Sequence, residues 1–138
     1  MKAKKFLLPL LAILALGLTT GCTREDHTTS YLYKVSYNQW VTQAGINYYY
    51  ATFENYDITP DVENHGMVVA YVFEDGRWNQ LPYVFPYYSA AEDASWGENI
   101  RFDWKTNEIT FIIQDLDGGL PEGMNNIDDM HFKVVVMH

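Results

Sequence analysis

The chain is 138 residues long and carries 18 acidic against 9 basic residues, a formal net charge of −9. A surface of that sign repels phosphate backbones and anionic head groups, which argues against nucleic-acid binding and against electrostatic docking on a membrane. The one cysteine, Cys22, leaves no disulfide to form within the chain, so a hydrophobic core has to hold the domain together.

The N-terminus opens with Lys2, Lys4 and Lys5, then an apolar run of 13 residues from Phe6 to Leu18, then Thr19-Thr20-Gly21-Cys22. The run is short of the roughly 20 residues that span a bilayer. A basic start, a short apolar stretch and small residues before a cut read as a secretory leader, and a cysteine directly after the small residues makes it resemble a lipoprotein signal. Leu18 lies one position further from the cysteine than such signals usually place it. The expectation is a signal peptide over residues 1–21 and acyl chains on Cys22, a membrane anchor to which each buried CH₂ contributes about 0.8 kcal/mol. Removing 21 residues, Lys2, Lys4 and Lys5 among them, leaves 117 residues with 6 basic and 18 acidic side chains, a net charge of −12.

Residues 22–30 are polar after the cysteine and read as a tether, and residues 31–138 as a single domain. Alternation with period two then dominates. Tyr31, Tyr33, Val35 and Tyr37 share one side of a first strand, and Asn47 to Glu54 sets Tyr48 and Tyr50 against Tyr49, Ala51 and Phe53. Thr59 can cap a short helix that starts at Pro60, with Gly66 expected in the left-handed conformation at its end. Met67 to Phe73, apolar on both faces, reads as a central strand. Asp75-Gly76 marks a type I′ hairpin, whose return strand from Arg77 stops at Pro82. Tyr83 to Tyr88, broken by Pro86, suits an edge or loop. Ser89 to Gly97 reads as loop. Ile100, Phe102 and Trp104 face one way, Thr106-Asn107 turns the chain, and Ile109, Phe111 and Ile113 follow. Asp115 to Asp129 is an acidic loop before a last strand of Phe132, Val134 and Val136. About seven short strands predict an all-β fold, an antiparallel sandwich of two sheets like the immunoglobulin arrangement, with a small barrel as the second choice.

Few residues point to chemistry. Asp115-Leu116-Asp117-Gly118-Gly119 resembles a calcium loop, but the EF-hand pattern would need a glycine at Leu120 and a bidentate glutamate at Asn126. Asp115, Asp117, Asp128 and Asp129 stay as a candidate metal set of another kind, set against an ordinary solvated loop. His27, His65, His131 and His138 have no metal-ligand spacing. No G-x-S-x-G turn and no phosphate-binding glycine loop occur, so neither catalysis nor a cofactor is expected. Aromatic residues make up 16% of the chain, and flat rings can bury the C–H faces of sugars. Trp78, Tyr83, Tyr87 and Trp96 are therefore candidate ligand-binding residues, with core packing as the plainer alternative.

With these segments laid out, the chain resembles the small β-rich lipoproteins of Bacteroidetes. The likeness rests on Tyr48-Tyr49-Tyr50-Ala51-Thr52-Phe53, on Ile58-Thr59-Pro60-Asp61-Val62 leading to Gly66, on Trp78-Asn79-Gln80-Leu81-Pro82-Tyr83 and on Phe132-Lys133-Val134-Val135-Val136. It implies a domain attached to the outer membrane, on the cell surface or the periplasmic face, and brings no catalytic residues with it. Glu25 and Asp26 resemble the acidic export signal that follows the lipidated cysteine in such bacteria, interrupted by Arg24. The expected function is a non-enzymatic binding or structural accessory of another envelope protein. The alternative is a glycan-binding module.

Overall fold

The computed structural model describes residues 27–89 and 94–138. The expectations for the leader, Cys22, and Glu25 and Asp26 lie outside the described residues. Eight strands form: β1 (Thr28–Val35), β2 (Tyr49–Glu54), β3 (Met67–Glu74), β4 (Arg77–Gln80), β5 (Tyr83–Ser89), β6 (Ala94–Lys105), β7 (Glu108–Asp115) and β8 (Met130–Met137). They build two antiparallel four-stranded sheets, a first in the order β1-β8-β3-β4 and a second in the order β2-β7-β6-β5. The expected two-sheet sandwich is present, with eight strands rather than about seven. The first two strands are sheet neighbours in the immunoglobulin order, whereas here they lie in opposite sheets and β1 pairs with the last strand.

Alternation decides what lies inside. Val68, Ala70 and Val72 of β3 and Phe132, Val134 and Val136 of β8 meet Ile109, Phe111 and Ile113 of β7 and Ile100 of β6 in one core. Phe111 stacks on Phe132 across the sheets, ring centroids 4.0 Å apart and 16° from parallel. Tyr49, Ala51 and Phe53 face this core as their spacing predicts, leaving Tyr48 and Tyr50 on the outer side.

Local chemistry fixes the connections. Asp75 and Gly76 both take positive φ, 51° and 74°, as the type I′ turn requires, and Glu74 pairs with Arg77. Asn107, at φ 63°, turns β6 into β7. Helix α1 (Pro60–His65) starts as predicted, with the Thr59 hydroxyl accepting from the Val62 N–H at 3.3 Å. Gly66 departs from expectation, because its backbone is extended at φ −97° rather than left-handed. A side chain there would run into the Met137 carbonyl oxygen and stand 2.9 Å from the Val62 Cα. Close approach of the helix end to β8, not turn conformation, requires the glycine.

Three boundaries also differ. Strand β1 begins at Thr28, so residues 28–30 belong to the sheet and not to a free tether; main-chain pairing with Val135, Val136 and Met137 holds them without apolar side chains. Tyr37 leaves the strand, because Ser36 and Gln39 close a 3-10 turn in which the Ser36 N–H donates to Gln39 Oε1 at 2.8 Å. Residues 94–97, expected in a loop, extend β6.

Candidate functional site

The extension of β6 creates the most distinctive surface. Beyond Glu98, which is paired with Asp115, β6 has β5 as its one neighbouring strand among the described residues. Alternation carries the inward-facing side of this hairpin past the core: Tyr83, Phe85 and Tyr87 on β5, with Ile100, Glu98 and Trp96 opposite them on β6. Tyr87 and Trp96 stand directly across from each other, ring centroids 5.8 Å apart and 19° from parallel. They are 39% and 49% exposed, so the pair is a surface feature and not core.

Carboxylates gather around the rings. The Tyr87 hydroxyl donates to Glu98 Oε2 at 3.2 Å. Burial pushes the Tyr87 hydroxyl up to about 12, helped by the charge and the hydrogen bond of Glu98 and by the charges of Glu74 and Asp115. Burial also raises Glu98, against the opposing Tyr87 hydrogen bond, and Asp115 adds to the rise. Asp115 itself is raised by burial and by Asp117 and Glu122. Glu74, at the end of β3, is raised by burial and by Asp75. The charges that raise these four groups, from Asp75, Glu74, Glu98, Asp115, Asp117 and Glu122, are all carboxylates.

Several clefts open here. One, of about 460 Å³, is lined by Val84, Pro86, Tyr87, Trp96, Gly97, Asp115, Leu116 and Asp117. Another, of about 290 Å³, lies at the open end of the sandwich between Glu74, Phe85, Tyr87, Glu98 and the Asp128–Asp129 segment. A third, of about 490 Å³, is lined by Trp96, Glu98, Asp115, Glu122 and Gly123. Gly97 shapes the first: a Cβ there would meet the Leu116 Cδ1 at 2.7 Å and the Phe85 carbonyl oxygen at 3.0 Å, so a side chain would push the exposed Leu116 aside from the hairpin. The Leu116 N–H donates to the Gly97 carbonyl at 2.9 Å, tying the acidic loop to β6.

Of the four aromatic candidates, the fold brings Tyr87 and Trp96 together and separates the other two. Tyr83 is half-buried and packs edge-on against Phe85 beside the core. Trp78 lies on the outer face of the first sheet, against Phe73 at 5.1 Å. The four acidic candidates also divide. Asp115 and Asp117 adjoin in the turn after β7, where Asp117 Oδ1 accepts from the Gly119 N–H at 2.8 Å. Asp128 and Asp129 line the end cleft, and Asp129 pairs with Lys34 at 3.3 Å. Hydrogen bonds from Ser36 and Lys34 hold the Asp129 carboxyl below its ordinary value. Among the described residues no three His, Cys, Asp or Glu side chains gather closely enough to hold a metal ion. His65 pairs with Asp61 at 2.9 Å, four residues earlier on α1.

Glu98 and Glu74 were missed from sequence. The signal for Glu98 was the spacing Trp96-x-Glu98-x-Ile100, one face of a strand, which goes unseen once Ser89 to Gly97 is taken as loop. The molecule is thus an antiparallel sandwich with an aromatic and acidic site at one end. No protein-family model matches the chain, and neither a curated protein nor a solved structure matches it. Among the described residues no helix is long and apolar enough to cross a membrane.

Proposed function

We propose that this chain is a lipid-anchored, non-enzymatic binding module of the bacterial outer membrane, and that its ligand is a glycan held against Tyr87 and Trp96. The observation that carries the reading is the exposed, nearly parallel ring pair at the mouth of a cleft with carboxylates on its rim. Flat rings take the apolar C–H face of a pyranose, while carboxylate oxygens accept from its hydroxyls. The anchor at Cys22 and the likeness to Bacteroidetes lipoproteins are read from sequence, and they set the site outside the cytoplasm.

The arrangement of the sandwich agrees with display. Thr28, where the tether enters, pairs with Met137 and shares an end of the sheet with Met67 and α1. Val35 and Met130 mark the other end of the same sheet, beside the cleft. A chain tethered at Thr28 points its ring pair away from the anchor.

The test is a glycan array probed with residues 23–138, followed by tryptophan fluorescence titration of each hit. At least one oligosaccharide is expected to shift the emission, with the response lost in Trp96→Ala and Tyr87→Ala and kept in Trp78→Ala. A protein that answers to no sugar, or one whose response survives Trp96→Ala, removes the glycan reading. Glu98 and Asp115 lie side by side, both with raised carboxyl values, so the same samples are assayed for new reducing ends. Reducing ends that disappear in Glu98→Gln would make the protein a hydrolase and overturn the non-enzymatic reading.

A further inference from the structure

The outer face of the first sheet differs from that of the second. On the second, the exposed side mixes Tyr50, Val84 and Pro86 with polar residues that pair with one another: Thr52 bonds Thr110 at 2.9 Å, Lys105 meets Glu108 at 3.2 Å and Arg101 donates to Gln114 at 3.0 Å. On the first, alternation brings out Leu32, Met67, Val69, Tyr71, Phe73 and Trp78, and none of its outward-facing strand residues is Asp or Glu. Among the described residues the carboxylate that meets this face is Asp129, at its border, and it is already paired with Lys34 at 3.3 Å. Leu32 is 74% exposed and Met67 56%, where an outer sheet face would ordinarily be polar.

Lys133 stands within this face. Its Nζ lies 5.0 Å from the Tyr71 ring centroid and 4.8 Å from that of Trp78. Among the described residues no carboxylate pairs with it, whereas Lys34 and Lys105 each have one. Beside it Leu32, Phe73, Trp78 and His131 border a groove of about 300 Å³. An apolar patch with a recess and a cation lacking a carboxylate partner has the anatomy of a protein interface.

We propose that this face docks an envelope protein whose contact surface is apolar and carries a carboxylate that pairs with Lys133. Charge complementarity selects this occupant. A second copy docked by the same face would again present no Asp or Glu from its strands, and its Asp129 is engaged by Lys34, so neither Lys133 would gain a free carboxylate. A bilayer offers no protruding side chain for the groove, and an anionic one is repelled by the net charge of −12 left once the leader is removed. The proposal rests on the envelope anchor proposed above and not on the glycan site, whose Tyr87 and Trp96 belong to the other sheet.

The test places a photo-crosslinking residue at position 32, or at position 52 on the opposite outer face, in the full-length protein expressed in its own cell envelope. Position 32 is expected to give one predominant protein adduct, crosslinked within a segment that contains Asp or Glu among apolar residues. Lys133→Glu should lower the yield about tenfold or more, and replacing the partner's acid with lysine should restore it. The crosslinker at position 78 should give the same adduct, which guards against a local folding defect. No adduct, an adduct to a second copy or to lipid alone, equal labelling from position 52, or indifference to Lys133→Glu each overturns the proposal.

Discussion

Single residues do their work here through close contacts. Gly66 sits where α1 meets β8, and Gly66→Ala forces a methyl group against the Met137 carbonyl oxygen. Both neighbours are backbone, so neither yields easily, and the substitution should cost about 1–3 kcal/mol in urea denaturation. Alanine tolerated there without loss would mean that the helix and β8 are further apart than described. Glu98 tests electrostatics. Its folded carboxyl titrates above the ordinary 4.5, so folding disfavours the ionised form. That group's contribution is therefore most favourable below the unfolded value and declines as pH rises through the folded one. Glu98→Gln keeps an acceptor for the Tyr87 hydroxyl and removes the charge. It should raise stability by less than about 1 kcal/mol at pH 7, since a half-exposed group is screened, with the gain vanishing near pH 3. Thermal melts at the two pH values check this, and an equal gain at both would show that charge is not the cause.

At the scale of elements, the two aromatic pairs have different duties. Phe111 on Phe132 joins the sheets, and both rings are fully buried. Phe111→Ala should cost about 3–5 kcal/mol, because the cavity cannot collapse between two sheets. Tyr87 and Trp96 join only the free half of a hairpin, so Trp96→Ala should cost no more than about 0.5–1.5 kcal/mol while abolishing ligand response. Chemical denaturation of both variants measures the contrast, and similar losses would show that the hairpin pair is structural. The central strands were legible in sequence, because β3, β7 and β8 bury alternate or consecutive apolar residues and Asp75-Gly76 dictates its turn. Strand order was not. The pairing of Thr28 with Met137 joins the two ends of the domain, and neither residue carries a sign of the other. The start of β6 was hidden because Ala94, Ser95 and Gly97 have weak strand preference and Trp96 takes its place from Tyr87 across the hairpin. The site was half-legible for the same reason. Alternation assigns a ring to a side of its own strand and does not say which sheet that strand joins, so Trp78 and Trp96 looked equivalent.

For the whole molecule, the consequence of these pairings is polarity along one axis. Strand β1 runs from Thr28 to Val35, a length of about 26 Å at ~3.3 Å per residue, and carries the chain from the tether's end of the sandwich to that of the clefts. Five residues lie between Cys22 and Thr28, and the six Cα steps reach about 20 Å at full extension. With acyl chains on Cys22, as proposed, the first end stays near the bilayer while Tyr87 and Trp96 are held furthest from it. Anchoring and recognition should then be separable. Cys22→Ala removes the only sulfur available for acylation and should move the protein from the membrane to the soluble fraction, with palmitate-analogue labelling lost. The fluorescence response to a glycan hit should keep its midpoint, because nothing at the far end senses the anchor. Label retained in Cys22→Ala would refute acylation at that sulfur, and a weakened glycan response in the released protein would show that the two ends are coupled.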